Sequence, residues 1–222
     1  MFAARGLAMI LILALALTAA CSSVQKAYHE FDPRPKPADA AFRAVVKKYL
    51  RDGSIHSGPA TELLVQVLPA NWEVRAAWVA RRAEAFAWTP EQKAKDLADQ
   101  KAEFAKYNTV LGSVYTPDAK WNNLGDSDAN WHVYLINAKG QRVKPVDVRR
   151  IKQRSAINES IYPFWGKWSR LYLVKFPIND AQGRPFLDPN EKTARLLITG
   201  APGSESLTLK TVSYTHLTLP TN

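Results

Sequence analysis

The chain has 222 residues, 46% of them hydrophobic and seven of them tryptophan, with 30 Lys plus Arg against 20 Asp plus Glu for a formal charge of +10. That apolar content supports a real core and a domain of ordinary size. The single cysteine, Cys21, excludes any intramolecular disulfide.

Residues 1–21 read MFAARGLAMILILALALTAAC, with one charge at Arg5, an apolar run from Leu7 to Leu17, and the small Ala19 and Ala20 before the cysteine. This is the layout of a cleaved signal peptide, and the run is shorter than the about 20 apolar residues that cross a hydrocarbon core of ~30 Å. The stretch Leu17-Thr18-Ala19-Ala20-Cys21 resembles the lipobox of bacterial lipoproteins, with Thr18 where that family usually has leucine. The resemblance covers only these first 21 residues. It implies cleavage after residue 20, a diacylglyceryl group on Cys21, and attachment to a membrane through acyl chains worth ~0.8 kcal/mol per buried CH₂. Ser22 is not the aspartate associated with inner-membrane retention, so the resemblance implies the outer membrane. Loss of Arg5 with the leader leaves 29 basic against 20 acidic side chains.

Residues 21–38 follow as lipid anchor and tether, marked by Pro33, Pro35 and Pro37 and by no apolar periodicity. Proline-rich spacers extend ~3.1 Å per residue, enough to hold a domain well off the lipid. The folded domain is expected over 39–211. A first helix is expected near 39–50, where Phe42, Val45, Val46 and Tyr49 share a face. Glu62 to Leu68 reads as a buried strand ending at Pro69. Asn71 suits the cap of a helix over 72–88, and Thr89-Pro90-Glu91-Gln92 is a capping box that starts another over 90–106.

Tyr107 to Tyr115 then takes strand character. Trp131 to Asn137 and Arg142 to Ile151 read as a hairpin through Ala138-Lys139-Gly140, and Arg170–Phe176, Arg195–Thr199 and Leu207–Val212 as further strands. The pattern predicts an α+β, mainly β fold: an antiparallel β-sandwich, immunoglobulin-like or related, with two helices inserted between its first strands and one helix before them. Residues 212–222, VSYTHLTLPTN, resemble translated sequencing adaptor. The natural chain is therefore expected to continue past Thr211, and His216 is set aside.

Catalytic chemistry finds little support. His29 lies in the tether, His56 in an expected loop and His132 in a strand, and none has zinc-ligand spacing. No G-x-S-x-G or phosphate-binding glycine loop occurs, and Cys21 is assigned to lipid. Asp126, Asp128 and Asn130 place oxygens at alternate positions, as calcium needs. Trp131 and Asn137 stand where an EF-hand loop requires glycine and glutamate, which leaves a turn-forming loop as the main reading.

Two constellations suit binding. The basic residues Arg142, Lys144, Arg149, Arg150, Lys152 and Arg154 could meet anionic lipid headgroups or envelope polymers, or simply keep a strand end solvated. Tyr162, Phe164, Trp165 and Trp168 could stack on sugars or plug the end of a sandwich. Together these predict a non-enzymatic binding or assembly module of the cell envelope, without cofactor. Its partners would be the membrane through Cys21 and anionic polymers or another envelope protein, not nucleic acid. Competing readings are an envelope hydrolase with a carboxylate pair drawn from Asp126, Asp128 and Glu159, and a calcium-dependent adhesion module.

Overall fold

The computed structural model describes residues 37–188 and 190–211. The leader, Cys21, His29, most of the tether and the 212–222 segment lie outside them. Chain contacts divide the protein into units Met1–Ala40 and Ala41–Asn222, and among the described residues the first contributes only the opening turn of one helix.

In chain order the described elements are α1 (Pro37–Tyr49), β1 (Arg51–Ser57), β2 (Ala60–Pro69), α2 (Trp72–Ala85), α3 (Pro90–Phe104), β3 (Tyr107–Tyr115) and a 3₁₀ turn at Ala119–Trp121. There follow β4 (Trp131–Ile136), β5 (Arg142–Val143), β6 (Asp147–Ile151), α4 (Ala156–Ile161), β7 (Arg170–Pro177), β8 (Thr193–Gly200) and β9 (Gly203–Lys210). The fold is α+β and mainly β, with two antiparallel sheets ordered β1-β2-β3-β7-β6 and β5-β4-β8-β9. This is the expected sandwich-like arrangement. The immunoglobulin-like detail is not reached, because β1, β2 and β3 run as a meander within one sheet.

Alternation along the strands explains the packing. Leu63, Val65, Val67, Val110, Val114, Tyr172, Val174 and Phe176 of the larger sheet meet Trp131, Val133, Leu135, Leu196, Ile198, Leu207 and Leu209 of the smaller one in a single core. The opposite face of the larger sheet presents Leu68, Leu111 and Leu171, covered by Phe42, Val46 and Tyr49 of α1, Val74 and Trp78 of α2, Ile161 of α4, and Phe164 and Trp165. β3 is therefore buried on both faces along most of its length.

Both cap expectations hold. Asn71 accepts from Val74 N–H at the start of α2, and Thr89 and Gln92 form the reciprocal capping box of α3. Helix α2 ends at Ala85, short of the expected residue 88, because the chain turns left-handed at Ala87 (φ 50°). Trp88 N–H then donates to Ala83 O and Ala87 N–H to Glu84 O, closing a Schellman motif.

Three further expectations are corrected. His56, expected in a loop, lies in strand β1, Arg51–Ser57. The strand pairs with β2 across a two-residue turn in which Gly58 takes φ 58°. The expected hairpin arm Arg142–Ile151 is two strands in two sheets. Only Arg142 and Val143 pair with β4, whereas Asp147–Ile151 pairs with β7. Pro145, which has no N–H to continue a ladder, marks the crossing. A short helix, α4, appears where none was expected, capped by Ser155 accepting from Asn158 N–H.

Candidate functional site

A cleft of about 250 Å³ lies between the helical layer and the larger sheet. Its sheet side is built from alternate residues of three adjacent strands: Thr109 and Leu111, Leu173 and Lys175, Arg149 and Ile151. Its helical side comes from Arg75, Trp78 and Arg82, which fall on one face of α2 at helical spacing, with Gln100 and Glu103 of α3 and Tyr162 after α4. Four cationic side chains thus line the cleft with one carboxylate among them.

Three of these cations are already engaged. Arg75, buried, donates from Nε to Ala70 O at 2.8 Å and from Nη1 to Gln100 Oε1 at 2.8 Å. Lys175 Nζ pairs with Glu103 Oε1 at 3.0 Å, and Arg82 Nη2 with Asp96 Oδ2 at 2.7 Å. Arg149 makes no ion pair among the described residues and stands exposed. The Trp78 and Tyr162 rings meet edge-on at 6.0 Å. Burial pushes the Tyr162 phenol above its ordinary range, while the Arg82 and Arg149 charges pull it back, so both guanidinium groups act on this spot.

Trp78 Nε1, Arg82 Nε and Thr109 Oγ1 are buried and have no hydrogen-bond partner among the described residues. Leaving a buried donor unpaired costs ~1–3 kcal/mol, and an incoming acceptor oxygen relieves that cost. Orphaned N–H donors beside guanidinium groups can hold an oxyanion, since charge-assisted bonds are roughly twice as strong as neutral ones.

Of the six basic residues singled out in the sequence, only Arg149 reaches this cleft. Arg142 lies over the Tyr134 ring at 5.2 Å. Lys144 lines a separate cleft near Asp126 and His132, and Lys152 is exposed. Arg150 acts on Tyr172. Arg154 is committed to structure: it donates to the carbonyls of Trp165, Gly166 and Lys167, pairs with Glu159 at 2.5 Å, and lies 5.0 Å from the Trp165 ring. The six do not form one patch.

The aromatic group divides as well. Phe164 and Trp165 are buried, Tyr162 lines the cleft, and Trp168 is 77% exposed. In the acidic loop, Asn123 donates to Asp128 O at 3.3 Å and accepts from Asn130 N–H, which are the bonds of a turn. Among the described residues no three His, Cys, Asp or Glu side chains converge where a metal ion could sit. Glu159, offered as part of a carboxylate pair, is held by Arg154. His56 and His132 both lie exposed on strands.

The sequence reading missed Trp78, Arg82, Thr109 and Lys175. The Arg75, Trp78, Arg82 spacing within one helix was the available signal, but alternation alone cannot say that this face overlies the face of β6 carrying Arg149. Among the described residues no helix is long and apolar enough to cross a membrane.

No protein-family model matches the chain, and no curated protein matches it. Among solved structures it is similar to a protein of unknown function from Burkholderia pseudomallei K96243, with 12% sequence identity and a TM-score of 0.43, over 83% of this chain and 88% of that one. A likeness at this level assigns neither activity nor ligand.

Proposed function

We propose that this chain is an exported, lipid-anchored protein of the cell envelope whose folded domain is a non-enzymatic binding module. Its cleft between α2 and the β3–β7–β6 face takes an oxyanionic group, phosphate or carboxylate, of an envelope polymer or lipid headgroup. The observation that carries the binding reading is the conjunction of the orphaned donors Trp78 Nε1 and Arg82 Nε with the unpaired charge of Arg149. The lipobox resemblance at Cys21 supports the address, and the net positive charge favours anionic partners.

Intact mass and membrane fractionation of the full chain from a bacterial host, alongside Cys21→Ser, test the anchor. A lipid mass on the native chain that the variant lacks, with loss of membrane association, is the expected result. Two soluble, unlipidated forms would overturn it. Calorimetric titration of the Cys21→Ser chain with inorganic phosphate, then acetate, tests the cleft and separates the two oxyanions. Saturable binding weakened about tenfold by Arg149→Gln is expected, as for the loss of one charge-assisted bond. Absence of binding to either ion, or binding indifferent to that substitution, would discard the cleft.

A further inference from the structure

A second cleft, of about 420 Å³, opens at one end of the sandwich between the two sheets. Its floor is the end of the inter-sheet core, Val110, Leu135, Ala194 and Leu209, and Phe104 and Leu187 stand among its walls. The volume falls within the range of small-molecule sites, which are mainly apolar with a few convergent polar groups.

The polar groups here are specific. Glu191 Oε1 accepts the Ala138 N–H at 2.6 Å, but Oε2 is buried and has no hydrogen-bond partner among the described residues. Asn71 spends Oδ1 on capping α2 and leaves Nδ2 buried and equally unpartnered. Among the charged residues lining the cleft, Asp188 and Glu191 outnumber Lys210. A carboxylate oxygen in an apolar wall without a donor is complementary to a cationic N–H group carried on an apolar body.

We infer that this cleft is a binding site for a hydrophobic amine, its ammonium donating to Glu191 Oε2 and its hydrocarbon lying on Leu135, Leu187 and Leu209. The Nδ2–H₂ of Asn71 is the position for an oxygen acceptor on the natural ligand. The site differs from the oxyanion cleft in charge sign, shares only Ala70 and Thr109 of its lining with it, and uses neither for the contacts proposed here.

Calorimetric titration of the Cys21→Ser chain with octylamine, matched against octanoate, tests the assignment. Octylamine is expected to bind saturably and octanoate at least about tenfold more weakly, and Glu191→Gln should weaken octylamine by a similar factor, the loss of one charge-assisted bond. Gln keeps an acceptor for the Ala138 N–H, so the loop is preserved. Leu187→Trp, which narrows the cleft from a half-buried position, should abolish octylamine binding while the thermal midpoint holds. Equal binding of both probes, no binding of octylamine, or octylamine binding unchanged by both substitutions would overturn the inference.

Discussion

Arg149 and Arg150 are neighbours in the chain and face opposite sides of the larger sheet. Arg149 pairs in register with Leu173 and enters the cleft with Trp78 and Tyr162, whereas Arg150 pairs with Tyr172 and acts on its phenol. Arg149→Gln is therefore expected to weaken phosphate about tenfold and Arg150→Gln to change it less than about twofold, measured by calorimetry at one fixed salt concentration. Equal losses would mean that bulk charge, not the cleft, attracts the ion.

Ala87 holds a left-handed backbone at φ 50° in the Schellman turn after α2, a position that favours glycine. Ala87→Gly should relieve steric strain, partly offset by the added freedom of glycine in the unfolded chain, for a net gain of about 0.5–1 kcal/mol. A higher urea midpoint at unchanged slope checks this.

Gly200 sits at the end of β8 with no room for a side chain. A methyl group there would stand 2.7 Å from Asn130 O and 2.7 Å from Trp131 Cε3, and the indole is itself buried in the core. Gly200→Ala should cost about 1–3 kcal/mol in chemical denaturation, as overpacking does. Gly112→Ala controls for lost glycine freedom, since an added methyl there meets only Val114 Cγ2, at the ordinary contact distance of 3.8 Å.

Tyr172 donates its hydroxyl to Asn122 O at 2.6 Å. Burial raises its phenol above the ordinary value, with the Arg170 side chain and then Arg150 pulling partly back. A raised folded value favours the neutral form, so this stability is fully present below about pH 10 and is lost as pH rises through the folded value. Thermal midpoints should fall on the alkaline side. Tyr172→Phe should cost about 0.5–1.5 kcal/mol at neutral pH and flatten the alkaline slope, with Tyr162 supplying part of what remains.

Much of this architecture was legible in the residues. Asn71 and Thr89-Pro90-Glu91-Gln92 mark their helix starts through local chemistry, and Trp131-His132-Val133-Tyr134-Leu135 alternates because one face is core. β1 was not legible. Its sequence RDGSIHS holds one buried apolar residue, and it is a strand because its backbone pairs with β2 while Gly53 lets Glu205 and Leu207 of β9 approach closely. The basic run from Arg142 to Arg154 failed as a patch for a tertiary reason: its ladder partner changes from β4 to β7, and residues on one arm of a hairpin become residues of two sheets. Arg154 could not be told from a ligand-binding arginine until its three carbonyl partners were in view.

Helix α3 has no buried residue among those described, yet it carries Gln100 and Glu103 over the cleft that holds Trp78 and Arg149. Two of its fastenings to the rest of the domain are ionic, Asp96 to Arg82 and Glu103 to Lys175. Both pairs are partly buried, Arg82 and Asp96 being 24% and 21% exposed and Lys175 and Glu103 13% and 41%, so salt screens them far less than it screens open surface charge. Arg149 has no such shelter. Added salt is therefore expected to blunt the long-range pull of Arg149 on a passing anion while α3 stays fastened where it is.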